Sequence, residues 1–82
     1  MTLEQLEAQR HQALCHLDVT RRARNAVLAD IQQANETHEL VSMHTLDFAD
    51  HLTLVESAAV RMYSAACKAV DDHRARLAGL EQ

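Results

Sequence analysis

The sequence contains no proline and only one glycine, Gly79, in 82 residues. These absences exclude collagen-like and proline-rich segments and disfavour turn-rich β-sandwiches and glycine-rich phosphate-binding loops. Only two aromatic side chains, Phe48 and Tyr63, could stack on a nucleobase or a sugar. The composition therefore predicts an almost wholly α-helical chain whose length suits one domain, residues 1–82.

An excess of positive charge is also absent. Twelve acidic and eight basic side chains give a formal net charge of −4, divided equally between the two halves of the chain. This balance disfavours a protein that binds nucleic acid by neutralising phosphates. No apolar run approaches the roughly 20 residues that cross a membrane, and the first residues do not form a signal peptide. We expect a cytoplasmic protein that contacts neither nucleic acid nor a membrane.

The first half of the sequence has the spacing of one long helix. Thr2, with a glutamine three residues later, is typical of a capping box at a helix start. Apolar residues then recur at intervals of three, four and seven, which predicts helix 1 over about 3–34. They are Leu3, Leu6, Ala13, Leu14, Leu17, Val27, Leu28, Ile31 and Ala34. Thr20, Arg21 and Arg24 interrupt this stripe in the middle of the helix.

The second half carries the most regular pattern, alternating by three and four over nine positions as a heptad seam does. These positions are Thr45, Phe48, Leu52, Val55, Ala59, Met62, Ala66, Ala69 and His73. They predict helix 2 over about 37–80, packed antiparallel on helix 1 as a helical hairpin. The turn is placed at Asn35–Thr37, where Asn35 could end helix 1 and Thr37 could cap helix 2. A break near 42–45, with Thr45 as the cap, is the alternative.

The position of the turn decides which residues face each other. A turn at 35–37 makes facing residue numbers add to about 72, whereas a break at 42–45 raises that sum to about 80. In the first register the basic cluster Arg21, Arg22 and Arg24 would pair with Asp47 and Asp50. A solvated surface is the default interpretation of this cluster, pairing across the hairpin is the second, and contact with an acidic partner protein is the third.

From Ala58 onward the apolar arc of helix 2 becomes broader than one partner helix can cover. Two hairpins could cover each other, so we expect a homodimeric four-helix bundle. A helix of another protein could use the same groove. The predicted partner-binding residues are Val60, Arg61, Met62, Tyr63, Val70 and Arg74.

Six histidines and two cysteines raise the possibility of a metal site. His11 and Cys15 are four residues apart and would lie on one helix face, with Cys67 and His73 as further candidates. Because Cys67 and His73 are six apart and point in different directions, we expect no metal and no cofactor. The two cysteines do not have the spacing of a disulfide scaffold, so free thiols are expected.

The sequence contains no glycine-framed nucleophile and no mixture of strands and loops that would form a pocket, so we expect no enzyme activity. The expected function is that of a small adaptor, inhibitor or chaperone-like regulator that binds a helical surface of another protein. In size and plan the chain resembles small phage-encoded and secretion-related helical proteins. A metal-responsive His/Cys protein and a purely structural coiled-coil subunit are the alternatives.

Overall fold

The computed structural model describes residues 1–80 and contains two helices, α1 (Leu3–Glu36) and α2 (Met43–Leu80). They pack side by side over their whole length as a hairpin that measures 66 × 16 × 15 Å. The predicted all-α helical hairpin is confirmed. Neither helix, within the part of the chain that the structure describes, is long and apolar enough to cross a membrane.

Helix α1 begins at the capping box that the sequence indicates. The backbone N–H of Gln5 donates to Thr2 Oγ1 at 3.2 Å, and the backbone N–H of Thr2 donates to Gln5 Oε1 at 3.0 Å. Two backbone donors that the first turn leaves without partners are thereby satisfied.

The end of α1 differs from the prediction. Thr37 does not cap α2, because its hydroxyl turns back and donates to the carbonyls of Gln33 and Ala34 at 3.1 and 3.2 Å. Asn35 is still helical, and the residue with left-handed backbone geometry is His38, at φ 60°. Helix α1 therefore ends at Glu36, one residue after Asn35, and the left-handed residue follows two positions beyond that end.

Helix α2 begins at Met43 rather than near residue 37, so the prediction of its start was wrong and the alternative break near 42–45 was right. Ser42 closes this end. Its Oγ accepts from the backbone N–H of Thr45 at 3.2 Å, and its carbonyl accepts from the N–H of Leu46 at 3.2 Å. The cap is thus Ser42 and not Thr45.

The α1 side of the interface is a heptad seam of ten positions, each buried or half-buried. They are Leu3, Leu6, Arg10, Ala13, Leu17, Thr20, Arg24, Val27, Ile31 and Ala34. Thr20 is buried in the middle of the seam, where its hydroxyl donates to the carbonyl of His16 at 2.8 Å. This bond satisfies the only strong donor of the side chain, so a polar residue is tolerated there.

Five of the nine positions predicted for the α2 side of the seam lie in it. Thr45, Leu52, Ala59, Ala66 and His73 lie in it, but the alternating positions between them are Ala49, Glu56, Tyr63 and Val70. The predicted Phe48, Val55, Met62 and Ala69 stand one residue earlier, on a flank of the helix. That set is the more apolar of the two, which is why the sequence pattern favours it. Contacts between Glu56 and two arginines of α1 stabilise the observed rotation instead.

The register of the hairpin follows from three cross-helix ion pairs. Glu7 contacts Arg74, and both Arg21 and Arg24 contact Glu56, so facing residue numbers add to between 77 and 81. The register near 72 is therefore wrong, and so is the predicted pairing of the arginine cluster with Asp47 and Asp50. Arg22 pairs within its own helix, with Asp18 at 2.9 Å.

The hairpin has a larger accessible surface than a compact protein of the same mass. Its accessible surface is 6298 Å², whereas a compact protein of 9.2 kDa exposes about 4,900 Å². The Cα radius of gyration is 18.7 Å, against about 12 Å for a globular chain of this length. Each of the two helices buries only the side that faces the other, so the flanks of both helices remain exposed.

Candidate protein-binding faces

The hairpin is a rod with two long faces, one on each side of the seam. The first, which we call the neutral face, consists of the central seam-flanking positions on one side of both helices, and the same rows continue into Asp30 of α1 and into Asp72 and Arg76 of α2. Its members are Gln12, His16, Val19, Ala23 and Ala26 of α1, and Phe48, His51, Val55, Ala58, Met62, Ala65 and Ala69 of α2. At 1.5 Å per residue the α2 row extends for about 30 Å.

No aspartate, glutamate, lysine or arginine belongs to the neutral face as defined by these positions. Alanine is its commonest residue, and Phe48 and Met62 are its largest apolar side chains. Phe48 remains 51% exposed and Met62 58% exposed. Small side chains leave a shallow surface that lets another helix approach closely, while the two large ones offer apolar area to bury.

The opposite side, which we call the charged face, alternates apolar and ionised residues. Leu14, Leu28, Leu46 and Val60 are partly exposed there. Charged side chains separate them along both helices: Glu4, Glu7, Asp18, Arg21, Asp50, Asp71 and Arg74. The ion pair between Arg74 Nη2 and Glu7 Oε1, at 2.6 Å, crosses the hairpin on this side. Within the described residues, a run of seam-flanking positions without charge therefore exists only on the neutral side.

A polar cluster interrupts the seam next to the charged face. Glu56 accepts from Arg21 Nε at 3.2 Å and from Arg24 Nη1 at 2.9 Å. Arg24 Nε also donates to Thr53 Oγ1 at 3.3 Å, and the Thr53 hydroxyl donates to the carbonyl of Ala49 at 3.0 Å. The side chain of Glu56 is only 17% exposed. The cluster contributes two positive charges and one negative, all held by contacts inside the hairpin.

The six predicted partner-binding residues do not form one surface. Val70 is completely buried between the helices, with 0% exposure, and Tyr63 lies half-buried in the seam. Arg74 is engaged with Glu7. At 100° per residue, Val60 and Met62 point about 200° apart, so they belong to the two opposite faces.

Two of the six lie outside both the seam and the charged face. Arg61 lies on the outer edge of α2, and Met62 lies in the middle of the neutral face. Sequence analysis missed Phe48, Ala23 and Ala26 as members of this face. The signal was present as uncharged positions at heptad spacing, but it is readable only once the correct α2 seam is known.

Tyr63 has an unusual setting within the seam. A side-chain hydrogen bond with Cys67 and the negative charge of the Cys67 thiolate raise the pKa of Tyr63 above its ordinary value of 10.0. Partial burial acts in the same direction, and the positive charge of Arg10 acts against it. The phenol is therefore neutral at physiological pH and serves as a packing group.

The metal candidates are only partly brought together. His11 Nε2 lies 3.6 Å from Cys15 Sγ on the exposed surface of α1. Neither Cys67 nor His73 joins them, and residues 1–80 contain no group of three or more His, Cys, Asp or Glu side chains placed to hold a metal ion. Both cysteines are free thiols.

An open hollow of about 310 Å³ lies at the end of the hairpin where the helices are connected. Its lining is Asp30, Ile31, Ala34, Leu40, Val41, Ser42 and Thr45. Among its polar members, the hydroxyls of Ser42 and Thr45 lie 2.9 Å apart, and neither is hydrogen-bonded to Asp30.

No protein-family model, curated protein or solved structure matches this chain.

Proposed function

We propose that the chain is a small non-enzymatic protein-binding regulator, an adaptor, inhibitor or chaperone-like protein, that engages a helical surface of a target protein. The neutral face carries this proposal. It is an uncharged surface on which the apolar side chains of Phe48 and Met62 remain exposed, and exposed apolar groups set among small side chains are typical of interaction sites. Its small side chains suit the apolar stripe of a helix laid along the hairpin.

A non-enzymatic role is supported by the shape of the molecule. The side chains of the described chain that could act as nucleophiles, acids or bases line open faces of the hairpin. Catalytic sites, by contrast, are usually concave and exclude water. We also propose a cytoplasmic location, which the two free thiols support, because cysteines stay reduced in that compartment.

Met62 is the proposed central contact, because it is flexible, exposed and surrounded by alanines. Phe48 and Val55 extend this contact toward the connector, which is the segment 37–42 between the two helices. Arg61 lies at the edge of the contact. Of the other predicted partner residues, Val60 offers its exposed part only on the charged face.

In the free state we propose a homodimeric four-helix bundle. The surface beyond that of a compact protein of this mass amounts to about 1,400 Å². Obligate dimers bury about 1,000–2,500 Å² per subunit. One additional hairpin is therefore of the right size to cover the surplus.

Two alternatives have specific support. The close pair His11 and Cys15 favours a metal-responsive protein, in which purified material would contain stoichiometric zinc. The heptad seams favour a structural coiled-coil subunit, which would assemble beyond a dimer.

Photo-crosslinking tests the protein-binding role. A benzophenone amino acid is placed at Phe48 on the neutral face, or at Leu54, which is apolar and 70% exposed but points outward from α2. We expect the same target protein to be captured in the native cell from position 48 and not from position 54. Equal labelling from both positions, or capture only from probes at Arg21, Arg22 and Arg24, would refute the assignment to the neutral face.

A further inference from the structure

We infer that, in the free protein, a second copy of this chain occupies the neutral face. The two hairpins are stacked in opposite directions, so that the connector of one lies beside the terminal end of the other, which is the end that contains Leu3 and Leu80. This inference rests on the homodimer proposed above, adds the face and direction of its contact, and does not require a hetero-partner. A negative photo-crosslinking experiment would leave it intact.

The dimensions of the face fit a second copy. The side of the hairpin that carries the neutral face is 66 Å long and 16 Å wide, a footprint of about 1,000 Å², and the neutral face is the central part of it, about 30 Å long in α2. A standard specific interface buries about 800 Å² per partner. A second hairpin offers a face of identical length and width, and it offers the same lack of charge, so neither copy must desolvate an ionised group in the centre of the contact.

The shape of the face also suits an identical partner. Alanines at positions 23, 26, 58, 65 and 69 allow close approach of the helix backbones, as small residues do in tightly packed helix pairs. Met62 lies near the middle of the α2 row, where a two-fold axis would bring it beside its own copy. Val55 of one chain then lies at the level of Ala69 of the other, so that a large residue meets a small one.

The charges at the two ends of the face decide the direction. Asp30 stands beside the face at the connector end, and Arg76 stands beside it at the opposite end. Within residues 1–80 neither side chain makes an ion pair. Asp72, also at the terminal end, is paired with Lys68 at 2.7 Å.

Stacking in the same direction would place each Asp30 beside its own copy and each Arg76 beside its own copy, which is repulsive at both ends. Stacking in opposite directions places Asp30 of one chain near Arg76 of the other, twice by symmetry. Charge complementarity of this kind fixes the orientation of a complex even where it adds little affinity.

The first experiment compares two neighbouring substitutions by sedimentation equilibrium. Ala65 lies on the neutral face and Ser64 on the charged face, and both are small, exposed residues of the same helical turn. We expect the unaltered chain to be a dimer, Ala65→Glu to raise the dimer Kd by ~100-fold or more, and Ser64→Glu to change it by less than ~3-fold. Circular dichroism checks that both variants remain helical.

The second experiment measures the direction of stacking. A spin label is attached to a cysteine introduced by Leu40→Cys, at a fully exposed residue of the connector. The two native thiols are removed by Cys15→Ser and Cys67→Ala. Opposite stacking predicts a distance of about 55–65 Å between the two labels, from 1.5 Å of rise per residue. Stacking in the same direction predicts about 10–25 Å, from the spacing of adjacent helices.

A monomeric unaltered protein would overturn the inference, as would equal weakening of the dimer by the two glutamate variants. A dimer with the short label distance would overturn the opposite orientation. A dimer with the long distance and a selective effect of Ala65→Glu supports the inference in full.

Discussion

Replacement of Glu56 by alanine is expected to lower the free energy of unfolding by about 2–3 kcal/mol. The Glu56 carboxylate accepts from Arg21 and Arg24 and is 17% exposed. The pair with Arg21 is largely exposed and should contribute about 0–1 kcal/mol. The bond from Arg24, whose side chain is only 33% exposed, is of the charged and partly buried kind that contributes about 1.5–3 kcal/mol.

This loss is large for a chain of 82 residues, whose total stability should be about 4–12 kcal/mol. A loss of this size lowers the midpoint of thermal unfolding by about 10–20 °C. Urea denaturation followed by circular dichroism gives the free energy directly, and all variants must be compared at one protein concentration, because self-association would add to the apparent stability.

Asp72→Ala is the matched control, because it also removes a carboxylate from an ion pair on α2, but from an exposed one with Lys68. We expect it to cost less than about 0.5 kcal/mol. The double variant Arg24→Leu with Glu56→Leu should recover most of the loss, since apolar side chains replace a partly buried ion pair at little net cost. If Glu56→Ala is as stable as Asp72→Ala, the polar cluster does not set the rotation of α2.

Three further predictions concern single positions. Thr2→Ala removes the cap from α1 and should cost about 1 kcal/mol in urea denaturation, while Gln5→Ala, which leaves the Thr2 hydroxyl in place, should cost less. His38→Gly relieves the left-handed backbone at φ 60° and should raise the free energy of unfolding by about 0.5–1 kcal/mol; an unchanged midpoint would argue against strain there. Tyr63 is the single tyrosine, so absorbance near 295 nm should show it ionising above pH 10.0, and Cys67→Ala should move the transition down toward that value. Because its pKa is raised in the folded state, the contribution of Tyr63 to stability is complete below pH 10.0 and is lost as the pH rises through the folded pKa; identical titrations of the two proteins would contradict this account.

The fold could be predicted from the sequence to the extent that its determinants are local. Without proline and with one glycine, long helices were the available structure, and the capping box at Thr2 and the apolar spacing of α1 were both readable. The connector was harder, because Thr37, Ser42 and Thr45 are all of residue types that cap helices. Which hydroxyl turns toward which helix depends on where the two helices meet.

The rotation of α2 could not be predicted from periodicity, and the candidate face depended on it. The set Phe48, Val55, Met62 and Ala69 has the same spacing as the set Ala49, Glu56, Tyr63 and Val70. The first set is the more hydrophobic, so the sequence pattern favours it. The second set lies in the seam because Glu56 meets Arg24 there, a contact between residues 32 apart. The neutral face therefore becomes visible only after a long-range polar contact is known.

The antiparallel arrangement also determines how the molecule responds to mechanical load. The ends of α1 and α2 near Leu3 and Leu80 lie at the same pole of the rod, so a force that separates them acts across the seam rather than along it. Contacts then open one pair after another from that pole, beginning near the pair of Glu7 and Arg74. Such unzipping requires far less force than shearing the same seam lengthwise, so an optical-trap experiment should record early, low-force opening that advances toward the connector.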